Sequence, residues 1–84
     1  MQTMQQIIFM GYDKRLAIFL LSELERTGKH EIKMTHEQIA EYTNSAREVV
    51  ARMLKRFASE GLLEYKRGAI TIKNDAALRN LAEH

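Results

Sequence analysis

The spacing of apolar residues changes several times along the chain, and each change marks an element. Over residues 13–27, Leu16, Phe19, Leu20 and Leu24 recur at helical spacing, and Ala17 and Leu21 widen the stripe. So broad a stripe predicts a helix at the centre of the core, with Asp13 as its cap and Gly28 as its stop. Residues 29–34 alternate, with Ile32 and Met34 on one side, and predict a short strand. Residues 35–61 then carry two helical patterns in tandem. Thr35 and Gln38 stand at capping-box spacing ahead of Ile39 and Ala40. Thr43-Asn44-Ser45 interrupts the pattern: asparagine tolerates the left-handed backbone of a tight turn, and Ser45 can cap the next helix. In that helix Val49, Val50, Met53, Leu54 and Phe57 predict a buried stripe, closed by Gly61.

Beyond Gly61 the period falls to two. Leu63 and Tyr65 alternate on one run, Ile70 and Ile72 on the next, around Lys66-Arg67-Gly68, which predicts a hairpin. Asn74 and Asp75 can cap a final short helix over residues 76–82, with Leu78 and Leu81 inward. The first ten residues, MQTMQQIIFM, are too apolar for a solvated tail. They predict either a helix laid on this domain or, as the preferred reading, the end of a longer helix from a larger protein. The expected fold class is therefore α+β: a winged helix-turn-helix over residues 13–84, with a three-helix core and a β-hairpin wing.

The 84 residues suffice for one small domain. A net charge of +2 says little, but its distribution says more. Residues 42–73 hold seven basic side chains (Arg47, Arg52, Lys55, Arg56, Lys66, Arg67, Lys73) against three acids (Glu48, Glu60, Glu64), giving +4 there and −2 elsewhere. A basic centre suits a polyanionic partner. The chain contains no cysteine, which excludes disulfides, thiol catalysis and cysteine-ligated metals. His30, His36 and His84 are scattered without zinc-like spacing, so no metal site is expected. Glu37 and Glu41 share a helix face, but no nucleophile or phosphate-binding loop accompanies them, so no enzymatic activity and no cofactor are expected in this chain. No apolar run approaches a membrane span and no signal peptide is evident. A cytoplasmic protein with no membrane partner is the expectation.

The chemistry concentrates on the second helix of the tandem pair, about residues 46–60. Glu48, Arg52, Lys55 and Ser59 share one face, Arg47 and Arg56 flank it, and the small Ala51 lies near it. Arginine can donate two hydrogen bonds to guanine O6 and N7, and glutamate can accept from cytosine N4. Taken alone, this face fits an ordinary solvated helix equally well. The basic hairpin tip that follows tips the balance toward DNA, with Lys66 and Arg67 placed for the phosphate backbone. Two alternatives remain: a winged helix for protein–protein contact, and a free-standing small repressor. A protein-binding face should be apolar or aromatic, which this one is not. The second alternative turns on whether residues 1–10 form a dimer within the chain.

The order helix, short strand, helix-turn-helix, hairpin resembles the C-terminal DNA-binding domain of the Crp/Fnr superfamily, bacterial regulators related to the cyclic-AMP receptor protein. Residues 34–40 (MTHEQIA), 45–55 (SAREVVARMLK), Gly61-Leu62-Leu63 and residues 68–72 (GAITI) carry the resemblance. Residues 9–17 (FMGYDKRLA) are similar to the junction where the family's dimerisation helix meets this domain, which makes residues 1–12 the end of that helix and a linker. The resemblance implies base reading by Arg47, Glu48 and Arg52 at a G-T-G-A-type half-site of a palindrome. It implies backbone contacts from Thr35, His36, Ser45, Lys55, Lys66 and Arg67. Ala46 and Val49 stand where the family often has hydroxyl residues on the backbone, which should weaken phosphate anchoring more than base choice. The resemblance further implies a homodimer in the full-length protein, an N-terminal effector-sensing domain outside these residues, and RNA polymerase as a possible partner.

Overall fold

Leu16, Ala17 and Leu20 have no solvent exposure, and the other elements gather around them. The computed structural model describes the backbone of residues 2–83 and the side chains of residues 11–83. In chain order the elements are α1 (Gln2–Thr27), β1 (Glu31–Ile32), α2 (His36–Thr43), α3 (Arg47–Ser59), β2 (Leu63–Lys66), β3 (Ala69–Ile72) and α4 (Asp75–Glu83). α1 ends as its sequence predicts: Gly28 takes φ +71 and its N–H donates to the Leu24 carbonyl at 2.8 Å. Its start differs. The helix runs on continuously from Gln2, so Asp13 is an interior helical residue and not a cap. The physical reason is tertiary: Asp13 is buried, and its Oδ2 takes a hydrogen bond from Arg56 Nη1 of α3 at 3.2 Å. The expected packing of residues 1–10 lies outside the described side chains.

The three strands form one antiparallel sheet in the order β1-β3-β2, which puts the last strand in the middle. Glu31 faces Thr71 and Ile32 faces Ile70 on one side; Leu63 faces Ile72 and Tyr65 faces Ile70 on the other. The alternation places Ile32, Leu63, Ile70 and Ile72 on the core side, all buried. Tyr65 shares the parity of Leu63 yet is 39% exposed, because the hairpin runs out past the edge of the core.

α4 is capped by Asn74, whose Oδ1 accepts from the Ala77 N–H at 3.0 Å. It packs on α1, burying Leu78 fully and Leu81 partly. The link into α4 is folded back on the α3–β2 connection, where the Lys73 and Asn74 N–H groups both donate to the Leu62 carbonyl. The fully buried side chains therefore come from every long element: Leu16 and Leu20 of α1, Ile39 of α2, Phe57 and Leu54 of α3, Leu63, Ile70 and Leu78. Each such side chain contributes about 1.5–3 kcal/mol of transfer free energy. That burial is what stabilises α2, whose eight residues are too few for a helix to persist alone.

Candidate nucleic-acid interface

Thr35 and Gln38 define the first edge of the candidate surface. Thr35 has extended backbone (φ −82, ψ 165), its Oγ1 accepts from the Gln38 N–H at 3.1 Å, and Gln38 Oε1 accepts from the Thr35 N–H at 3.0 Å. Both bonds of a capping box are made. α2 ends at Asn44, which adopts φ 54 and ψ 55. The Ser45 N–H then reaches the Ala40 carbonyl at 2.8 Å and the Asn44 N–H reaches that of Glu41 at 3.3 Å, the paired bonds of a Schellman ending. α3 ends in the same way around Gly61, at φ +79, with the Leu62 N–H on the Phe57 carbonyl and the Gly61 N–H on that of Ala58. The turn between the helices is also fastened to α1. The buried Thr43 hydroxyl donates to the Ile39 carbonyl at 2.7 Å and lies 3.2 Å from the Tyr12 hydroxyl, and the Arg15 guanidinium donates to the Thr43 carbonyl.

Two sequence expectations need correction here. Ser45 does not cap α3. Its backbone is committed to closing α2, and the N-cap geometry falls one residue later, on Ala46 (φ −83, ψ 147), which has no side chain able to accept. The first-turn amides of α3 therefore point outward without a side-chain cap, at the positive end of the helix dipole. Val49 does not belong to the buried stripe. Val50, Met53, Leu54 and Phe57 fill the core side, and at 3.6 residues per turn Val49 falls beyond their edge, 37% exposed. With Arg52, Met53 and Arg56 it lines a shallow hollow on the side of α3.

Opposite the buried stripe, Arg47, Glu48, Arg52, Lys55 and Ser59 are exposed. Among the described residues, Arg47, Glu48, Arg52 and Lys55 make no ion pair, and neither do Lys66 and Arg67 at the hairpin end. Arg56 differs. It is held by Asp13 at 3.2 Å and by Glu60 at 3.3 Å, on the flank away from Arg47. Burial pushes the Asp13 carboxyl above its ordinary pKa, against the pull of Arg56 and with a small addition from Glu60. In the wing, Lys66 ends β2 and the reversal runs through Arg67 and Gly68, the latter at φ +66.

The wing and the helix pair meet at His36. Its ring stacks on Tyr65 of β2 with centroids 4.6 Å apart and planes 26° apart. His36 Nε2 is buried without a hydrogen-bond partner. Burial, and then the neighbouring Arg47 charge, hold the His36 imidazole below its ordinary pKa. The start of α2, the start of α3 and the base of the wing tip are thus brought together. Of the residues expected to contact DNA, Thr35, His36, Ser45 and Arg47 lie at this junction or on the turn beside it. Glu48, Arg52 and Lys55 continue along α3, and Lys66 and Arg67 occupy the wing. Three contacts had no sequence signal: the Asp13–Arg56 pair, the His36–Tyr65 stack, and the stack of Phe19 on Tyr42 at 5.6 Å. Among the described residues no cluster of His, Asp or Glu could hold a metal ion, and no helix is long and apolar enough to cross a membrane.

Residues 14–81 match the family model of the Crp-like helix-turn-helix domain. The fumarate and nitrate reduction regulatory protein of Escherichia coli strain K12 is 33% identical over 86% of this chain, and the chain spans only 32% of that protein. Among solved structures, a Crp/Fnr-family transcriptional regulator from Eubacterium rectale superposes with a TM-score of 0.87 at 44% identity, over 96% of this chain and 38% of its own. The catabolite activator protein of Thermus thermophilus gives 0.85 at 26% identity, over 98% of this chain and 38% of its own. The fold, the exposed basic helix and these likenesses agree: the chain belongs to the Crp-like helix-turn-helix domain family, the DNA-binding domains of Crp/Fnr transcription regulators.

Proposed function

We propose that this chain is the sequence-specific DNA-binding part of a larger, effector-sensing regulator that works in the cytoplasm as a homodimer on a palindromic site. The observation that carries the reading is the set of uncommitted charges on the outer face of α3. Arg47, Glu48 and Arg52 are exposed and unpaired among the described residues, while Arg56, on the flank opposite Arg47, is engaged. Arg47 and Arg52 each offer a bidentate donor to guanine, and Glu48 an acceptor for cytosine N4, at about 1–3 kcal/mol of discrimination per contact. Thr35, Ser45, Lys55, Lys66 and Arg67 are assigned to the phosphate backbone, with His36 at their junction. The greater length of the relatives supports a sensor beyond these residues, to which any effector or cofactor is left. Two copies would set their α3 helices in successive major grooves about 34 Å apart. Contact with RNA polymerase would belong to that assembled regulator, and no catalysis is assigned to this chain.

The test is fluorescence anisotropy on a duplex with inverted G-T-G-A half-sites against a scrambled duplex. Arg47→Ala should weaken binding to the palindrome by the roughly 1–3 kcal/mol of one bidentate contact and leave scrambled binding nearly unchanged. An equal loss on both duplexes would refute base reading by Arg47.

A further inference from the structure

Only the first residue of β2 is buried. Leu63 is in the core, and Glu64, Tyr65 and Lys66 are exposed along the strand. Past Leu63, β2 is held by its pairing to β3, whose Ile70 is buried opposite Tyr65, and by the Tyr65 ring, which lies against His36 at the first turn of α2. His36 makes no side-chain hydrogen bond among the described residues, and its Nε2 is enclosed. A ring that stacks and bonds to nothing polar is suited to packing. The stack commits one face of the ring and enclosure removes Nε2 as a phosphate donor, which leaves Nδ1 as the ring's one route to a phosphate. Burial and the Arg47 charge also favour the neutral imidazole, which removes the charge a phosphate contact would use.

We propose that His36 is a positioning residue: stacked on Tyr65, its ring clamps the wing to the helix-turn-helix so that Lys66 and Arg67 meet the DNA backbone in register with α3. The proposal rests on the DNA-binding reading and adds how the wing is aimed. Lys66 directly follows Tyr65, and Arg67 begins the reversal. Freed of the stack, both cations would sit on a two-stranded tip that extends beyond the Tyr65–Ile70 pair. Such ribbons are only marginally stable in water. The stack joins the wing to the first turn of α2, beside the Thr35 cap that opens the helix pair.

The test separates a packed ring from a phosphate contact. His36→Phe keeps an aromatic face and has no donor; His36→Ala removes both. Wing amide hydrogen exchange is measured on the free chain, and affinity against salt on the inverted G-T-G-A duplex. The clamp predicts that His36→Phe retains wild-type exchange, and wild-type affinity within about twofold, the ordinary scatter of independent substitutions. It predicts that His36→Ala speeds exchange in the wing but not in α3. It also predicts that His36→Ala flattens the salt dependence as Lys66→Ala does, about 0.9 in slope per lost phosphate, and that the two changes are not additive. If His36→Phe binds as weakly as His36→Ala with the same loss of slope, His36 touches phosphate directly and the clamp is overturned. Unchanged wing exchange in His36→Ala overturns it as well, whatever the DNA result. If no form binds the duplex while the exchange pattern holds, the DNA reading fails and the clamp stands. Should His36→Ala unfold, Tyr65→Ala removes the same stack from its exposed side.

Discussion

Replacing Asn44 by alanine and by glycine isolates what the turn between α2 and α3 costs. Asn44 is the one described non-glycine residue at positive φ, with φ 54 and ψ 55. It is exposed, and its side chain makes no hydrogen bond to another described residue, so backbone conformation dominates any change. A side chain bearing Cβ in this region costs about 1–2 kcal/mol, of which asparagine recovers part through local polar contacts. Alanine keeps Cβ and loses that recovery, so Asn44→Ala should destabilise by about 1 kcal/mol, or about 4–8 °C in Tm for a domain of this size. Glycine removes the strain but gives the unfolded chain more freedom, worth about 0.4–1 kcal/mol in the other direction. Asn44→Gly should therefore stay close to wild type. Urea denaturation followed by circular dichroism reads both, with an unchanged m-value showing that the same surface is exposed on unfolding. If alanine proves as stable as asparagine, the left-handed turn is not what selects the residue. If glycine costs as much as alanine, the side chain and not φ is responsible.

Phe57 is fully buried where α3 meets the sheet, so Phe57→Ala should cost about 3–5 kcal/mol in chemical denaturation and leave little of a small domain's stability. Thr35→Ala should cost about 0.5–2 kcal/mol, and once Thr35 is gone Gln38→Ala should add little, because the two side chains act as one capping box. The Asp13 carboxyl is raised above its ordinary 3.8, so the folded state holds the proton more tightly. Its ionisation then costs stability as pH rises from 3.8 through the raised value, and Asp13→Asn should remove that fall in a Tm-against-pH series; a series unchanged by the substitution would count against the assignment. The His36 imidazole lies below its ordinary 6.5, so the unfolded chain binds the proton more tightly. Stability from this group is complete above 6.5 and is lost as pH falls from there toward the lowered value, a loss that His36→Phe should abolish.

Much of the fold was legible in local pattern. The stripe of Leu16, Leu20 and Leu24, the Thr35-x-x-Gln38 box, the Asn44 turn, the Gly61 stop and the two alternating runs all correspond to observed elements, because each is set by contacts only a few residues apart. The misreadings arose where a residue had one local role available and the surrounding structure gave it another. Asp13 reads as a cap and is a buried partner of Arg56, 43 positions away. Ser45 reads as a cap, but its amide closes the preceding helix, which shifts the cap to Ala46. Val49 fits the helical stripe, yet the core covers an arc of α3 whose edge is Met53, and Val49 falls beyond it.

The candidate surface divides along the same line. That Glu48, Arg52 and Lys55 share one helix face follows from 3.6-residue periodicity, and so is determined by the sequence alone. Which cations on α3 are uncommitted is not. Arg52 and Arg56 look alike in the sequence, and only the placement of α1 against α3 engages Arg56 with Asp13. Where the wing points is likewise decided by tertiary structure. Tyr65 and His36 are 29 positions apart, and nothing local to either requires the other. Periodicity reports how a segment divides between core and solvent, because that division repeats every few residues. Pairings across the fold depend on the angles at which segments dock, and those are set by the packing of the whole core.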